Sequence, residues 1–285
     1  MGHYFVLKKN VLIPGSGIDC PSLTSTCTMT IVPTLHVQSQ KRENDKLFSK
    51  EELAEMYGCK LYEESSVELG TGQGELSGVI DVCLTKMKLG EKVQFSVKII
   101  KSMEVLATND IVTFELTLHS FVAGPPLYKL ACKDCLDVAA FCKEVGGKMF
   151  NQKKLFVASC FYSRALKYLF LCHSLKKDQT QFYENLLLLC LSNLAACQLK
   201  RNLYQSVVKN CTDALQLDPF FVKALYRRAS AYFAMNDFHN ALDDISSGLK
   251  SDSSNKAFNN LLMEVKQKKV KEDKKLGERI KVLFS

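Results

Sequence analysis

The chain's 285 residues leave room for two hydrophobic cores, and 47% apolar with 24% charged residues is the balance of a globular rather than a disordered protein. Lys and Arg outnumber Asp and Glu by 38 to 30, an excess that favours acidic partners but is too small, and too concentrated near the C-terminus, to point to nucleic acid. The longest apolar run, 186–191, is far too short to span a bilayer, and residues 1–6 lack the apolar core of a secretory signal, so a soluble protein of the cytoplasm or nucleus is expected, with no membrane partner.

Residues 1–122 read as strands and turns around two short helices, an α+β unit with a mostly antiparallel sheet. Phe5–Leu7 and Val11–Ile13 are short strands ahead of the turn cluster Pro14-Gly15-Ser16-Gly17. Cys27–Val32 is rich in Thr, Ile and Val and reads as the next strand. Ser49-Lys50-Glu51-Glu52 is a capping box, and Gly58 is placed to end the helix it starts. A phosphate loop at Gly70-Thr71-Gly72-Gln73-Gly74 is excluded because neither the Gly-Lys-Ser/Thr ending nor the third Gly of a dinucleotide motif is present; a hairpin or bulge is expected. Gly78 to Met87 predicts a second helix. Val93–Val97 and Ile111–Leu118 alternate apolar and polar residues as half-buried strands do.

After Ala123-Gly124-Pro125-Pro126 the pattern turns helical almost to the end, so residues 123–255 are read as a second domain. Ala195 and Ala229 lie 34 residues apart, as do Ala214 and Gly248, and Asp218-Pro219 closes the unit between them. This is the period of a tetratricopeptide (TPR) helical hairpin. Gly146, Ala158, Tyr162 and Ala165 mark an earlier copy, set 49 residues before the second, with the extra residues placed around Ser174–Gln181. Three repeats result, at about 139–172, 188–221 and 222–255, and residues 256–285 form a basic capping helix over the last apolar face. Cys160, Cys172, Cys190, Cys197 and Cys211 fall in helical segments, where Cys acts as a small reduced hydrophobe. Cys132-Lys133-Asp134-Cys135 has the spacing of a zinc or redox site, but no second such pair and no pair of His accompanies it; no metal or cofactor is expected.

The first helix of each repeat lines the concave face of such an array. Asn193 and Arg227 hold the same position in consecutive repeats, Lys223 lies one turn before Arg227, and Lys143 lies in the first helix of the first repeat. Three cations and one amide in one groove make a receptor for carboxylates, which Arg can bind in bidentate fashion. The alternative is an ordinary solvated helix surface. The lysines between 266 and 275 read as a solvated face of the last helix, or as a calmodulin or anionic contact if Leu262, Val265, Leu276, Ile280 and Leu283 form an apolar face beside them.

Lys143, Asn193, Lys223 and Arg227 resemble the dicarboxylate clamp of TPR co-chaperones that bind the C-terminal Met-Glu-Glu-Val-Asp peptide of heat shock protein 90; Gly147 stands where that pattern has its first Asn. The N-terminal half resembles the large TPR-containing immunophilins of the FKBP class, through Val11–Gly17, Val67–Gly70, Gly78–Gly90 and Ile111–Phe121. The resemblance implies an FKBP-like sheet domain whose prolyl isomerase pocket is degenerate. The chain has no Trp, the position of the pocket floor falls on Val79, a wall Tyr falls on Ile31, and the segment between Lys98 and Asn109 is too short for the Tyr-bearing flap. The same resemblance implies a non-catalytic adaptor linking heat shock protein 90 to client proteins such as steroid receptors or cell-cycle regulators. A divergent but active isomerase, and a TPR scaffold of a germ-line or nuclear complex, are the alternatives.

Overall fold

Val93, Phe95, Val97 and Ile99 are fully buried while the residues between them are not, so β5 (Lys92–Ile99) shows one face to a core and the other to solvent. It belongs to a sheet seen in a computed structural model of the chain, which describes residues 4–22, 24–38, 46–47, 49–72, 74–99, 110–125 and 129–283. Two compact units are present, Met1–Ala131 and Cys132–Ser285. The second therefore begins nine residues after the turn-rich stretch at 123.

In the first unit β1 (Tyr4–Ile13), β5, β6 (Ile111–Val122), β2 (Thr26–Gln38) and β3 (Lys46–Leu47) lie in that order, with β4 (Ser65–Glu68) also paired to β2 and every pairing antiparallel. Cys27, Met29 and Ile31 from β2 meet Val112, Phe114, Leu116 and Leu118 from β6 in the core. The two helices, α1 (Lys50–Tyr57) and α2 (Ser77–Leu84), add Leu53, Tyr57, Val79, Ile80 and Leu84. Ser49 caps α1 in both directions with Glu52, and Gly58 ends it in the left-handed conformation at φ 71. Three readings shift. The two segments 5–7 and 11–13 are one strand, because Lys8, Lys9 and Asn10 between them pair with Ser96, Phe95 and Gln94 of β5, with register shifts at Val6/Lys8 and Val11/Ile13. The strand expected at 27–32 runs on to Gln38, crossing Pro33 at an irregularity in its pairing with β6, where a missing N–H is tolerated. Gly70 ends a turn and Gly74 lies in a bend shortly before α2, pressed against the backbone at the end of α1.

The second unit holds, among the described residues, seven helices: α3 (Cys132–Asn151), α4 (Leu155–Phe170), α5 (Lys177–Lys200), α6 (Tyr204–Leu217), α7 (Val222–Ala234), α8 (Phe238–Ser251) and α9 (Lys256–Leu283). Inside each of the three hairpins one residue adopts a positive φ, namely Lys153, Asn202 and Asn236. These sites repeat the spacings of 49 and 34 read from the small residues, so the backbone turns at equivalent places. The extra length of the first interval lies in the 171–176 connection and in α5, which has 24 residues against 13 in α7. By length and composition α5 could cross a membrane. Here Leu186, Leu187, Cys190, Leu191 and Leu194 are buried against neighbouring helices instead.

The adjacent glycines of α3 differ in what surrounds them. A Cβ at Gly146 would come within 2.9 Å of the Tyr162 ring, whereas one at Gly147 would meet only the Tyr162 hydroxyl, at 3.9 Å. Gly146→Ala is therefore expected to lower stability by about 1–3 kcal/mol through overpacking. Gly147→Ala should raise it by up to about 1 kcal/mol, because Gly in mid-helix is costly and nothing blocks the methyl. Thermal unfolding of the two variants beside the parent gives the signs; equal effects would contradict this account of the hairpin.

Candidate functional site

The first helices of successive repeats lie side by side, α3 touching α5 and α5 touching α7. Lys143 is on α3, Asn193 on α5, and Lys223 and Arg227 on α7. Lys223 is exposed; the other three are half-buried.

Arg227 is anchored from one side. Its Nη1 donates to the Ser192 carbonyl oxygen at 2.7 Å and to the Ser192 hydroxyl, so the guanidinium is fixed to the residue next to Asn193. Burial is the main influence on this group and pulls its pKa down, with no carboxylate among the described residues to oppose it. An arginine stays charged at neutral pH even so. Arg228, one position on, is the contrast. Its Nε and Nη2 donate to the two Asp244 carboxylate oxygens at 2.8 and 2.6 Å, Nη1 donates to Thr212 at 3.0 Å, and the Asp244 bond pushes its pKa up. Arg228 thereby ties α7 to α6 and α8 and has its charge matched.

Asn193 is held by the Tyr162 side chain of α4 through a hydrogen bond. Tyr162 is buried, which pushes its phenol up to about 12, an effect that the charge of Arg227 and the Asn193 bond both oppose. Lys143 faces α5, where its charge works against the burial that lifts the Cys190 thiol to about 12. Neither Lys143 nor Lys223 has a carboxylate partner among the described residues. Arg227 and Asn193 thus both act on Tyr162, Lys143 acts on Cys190 of the same helix α5, and Lys223 lies one turn before Arg227 on α7. Ser192 and Tyr162 were not among the site residues read from sequence. Tyr162 was visible only as a repeat mark, and the hydroxyl of Ser192 gave no signal inside its Leu-rich run.

In the sheet unit, Ile31 and Val79 are both completely buried. The Tyr57 ring meets Phe114 edge-on at 5.6 Å, and its hydroxyl is buried without a hydrogen-bond partner among the described residues. A surface cleft of ≈ 640 Å³ is lined by other residues, among them Lys60, Glu64, Glu68 and Thr71. The segment between Lys98 and Asn109, read as too short for a Tyr-bearing flap, has residues 100–109 outside the described residues. On α9, Lys266, Lys269, Lys271, Lys274 and Lys275 are exposed, while Lys268 lies over the Phe233 ring at 4.9 Å. Val265 is buried, and the side chains of Leu276, Ile280 and Leu283 lie outside the described residues.

No family model matches the chain. It is 27% identical over 254 residues to FK506-binding protein 59 of Drosophila melanogaster, covering 84% of this chain and 56% of that protein. It is 30% identical over 166 residues to the peptidyl-prolyl cis-trans isomerase FKBP4 of Bos taurus, covering 57% of this chain and 36% of that one. The chain thus spans about half, or less, of the length of the relatives it matches. Among solved structures, the C-terminal TPR-containing domain of a Plasmodium falciparum FK506-binding protein superposes with a TM-score of 0.50 at 22% identity, over 53% of this chain and 99% of that one. Together these likenesses make the chain FKBP-like: a sheet unit joined to a TPR array, similar in sequence to the FK506-binding immunophilins.

Proposed function

We propose that the helical unit binds the acidic C-terminal peptide of heat shock protein 90, holding its terminal carboxylates with Lys143, Asn193, Lys223 and Arg227. In this reading the chain is a non-catalytic adaptor of the cytoplasm or nucleus that links the chaperone to client proteins, of which steroid receptors and cell-cycle regulators are the classes the family likeness suggests. The observation that carries the reading is Arg227. A half-buried guanidinium anchored to Ser192 and facing no carboxylate has lost hydration without gaining a counter-charge. A peptide carboxylate would supply that charge in the geometry arginine favours. Lys143 and Lys223, both without acidic partners among the described residues, fit the same demand.

Gly147 bears on affinity. The clamp pattern has an amide there, and its loss removes one side-chain hydrogen bond, worth about 1 kcal/mol. Because a Cβ at this position has room, the gap can be refilled. Titration calorimetry of the full chain with a peptide ending Met-Glu-Glu-Val-Asp should show Lys223→Ala and Arg227→Ala each weakening binding by about 10- to 100-fold, as expected for a lost charged hydrogen bond. Gly147→Asn should tighten it by about fivefold. The same peptide with an amidated C-terminus should bind poorly to all of them. Unfolding curves check that each variant is folded, since Arg227 also bonds to Ser192. Equal affinities across the parent, Lys223→Ala and Arg227→Ala would remove the clamp.

The second reading, an active isomerase, is favoured by the activity for which FKBP4 is named. Against it stand the buried Ile31 and Val79, since an isomerase of this kind depends on a shaped pocket open to a proline. With a proline-containing peptide, the full chain is expected to give no isomerisation above the uncatalysed rate. Clear catalysis, lost on replacing residues of the sheet unit, would establish the alternative.

A further inference from the structure

We propose that Cys132, Cys135 and Cys172 form a redox site in which a small disulfide such as oxidised glutathione converts two thiols, one of them Cys172, into a disulfide stapling the end of α4 to the start of α3. The inference stands apart from the peptide groove and does not depend on it.

Cys132 and Cys135 lie in the first turn and a half of α3. Cys172 lies just past the last residue of α4, in the non-helical connection to α5. The helical hairpin returns the chain so that the Cys172 thiol lies 3.8 Å from the Cys132 carbonyl oxygen, with the Cys132 and Cys135 thiols close enough to act on it. All three are free. Cys132 and Cys172 are half-buried, open to a small reagent, whereas Cys142, Cys190, Cys197 and Cys211 are sealed inside the helical unit. A helical residue would need backbone movement to shorten such a contact to a bond. Cys172, outside the helix, can approach by adjusting its loop, and disulfide geometry requires that freedom.

The chemistry balances within thiol–disulfide exchange. One protein thiolate attacks glutathione disulfide, forming a mixed disulfide and expelling one glutathione. The second protein thiolate then attacks the mixed disulfide at the protein sulfur, forming the internal S–S bond and expelling the second glutathione. Two electrons pass from the protein to glutathione disulfide, and the two thiol protons end on the two glutathiones released. Burial, then the neighbouring Cys132, pushes the Cys172 thiol up to about 12. Cys135 is raised for the same reasons. Thiols with high pKa are poor leaving groups, so the bond would form slowly and resist reduction. That is the behaviour of a staple rather than of a catalytic dithiol.

The test is to equilibrate the full chain with graded mixtures of reduced and oxidised glutathione, quench with acid, alkylate and digest with trypsin. Cleavage after Lys133 separates Cys132 from the peptide 134–143, and fragmentation of that peptide tells Cys135 from Cys142, so the partner of Cys172 can be assigned. A cross-linked peptide joining Cys172 to Cys132 or Cys135, with a melting temperature raised by roughly 5 °C or more in the oxidised parent, is the expected result. Neither change should appear in Cys172→Ala or in the double variant Cys132→Ala/Cys135→Ala. Cys172 recovered only as free thiol or as a glutathione adduct in the folded parent, at every ratio, would overturn the proposal, and so would a link from Cys172 to any other cysteine.

Discussion

The helical unit is organised around two neighbouring arginines with opposite fates. Arg228 and Arg227 differ by one position on α7, a rotation of about 100° on the helix, and that rotation sets which partners each can reach. Arg228 turns between α6 and α8 and finds Thr212 and Asp244, so its charge is matched within the fold. Arg227 turns toward α5 and finds a carbonyl and a hydroxyl, which satisfy hydrogen bonds but not charge. A protein selected for stability alone would be expected to match both. Leaving a half-buried cation unmatched is the sort of local conflict that marks a binding site, because the compensating charge must come from elsewhere.

Placement of that cation depends on the repeat. Turn residues at positive φ recur at Lys153, Asn202 and Asn236, and small residues recur where paired helices cross, so α3, α5 and α7 come side by side with equivalent faces exposed. Tyr162 shows how closely packing and polar chemistry are joined. Its ring demands a glycine at 146, and its hydroxyl fixes the Asn193 amide. One side chain thus sets the distance between α3 and α4 and the orientation of a group on α5. The proposed carboxylate groove therefore rests on packing contacts as much as on the four cation and amide positions themselves.

Much of this was legible in the chain because the signals were local or periodic. The capping box at Ser49 and Glu52 forms as read, since both of its hydrogen bonds lie within four residues. The 34-residue period placed Asn193, Lys223 and Arg227 on first helices without any knowledge of contacts. What escaped was non-local. The polar residues in the middle of β1 make that strand read as two, because nothing in the sequence says that Lys8, Lys9 and Asn10 pair with Ser96, Phe95 and Gln94 of β5. Pro33 makes β2 look shorter than it is, since a bulge that excuses a proline is set by the partner strand. The pair Cys132 and Cys135 looks isolated for the same reason. Its third thiol arrives from the far end of a helical hairpin, and only the return of the chain brings Cys172 to it.

The sheet unit presents the opposite balance of exposure and chemistry. Ile31 and Val79 are completely buried apolar side chains where the family likeness would place aromatic residues around a substrate. Tyr57 carries a polar cost in the same core. Its ring adds an edge-on contact with Phe114, while its hydroxyl is left buried and unbonded, a penalty of about 1–3 kcal/mol that ordinary cores avoid. Among the described residues, then, the sheet unit's interior is closed by packing around Ile31, Val79 and Tyr57, whereas the half-buried Arg227 of the helical unit meets a carbonyl and a hydroxyl but no carboxylate.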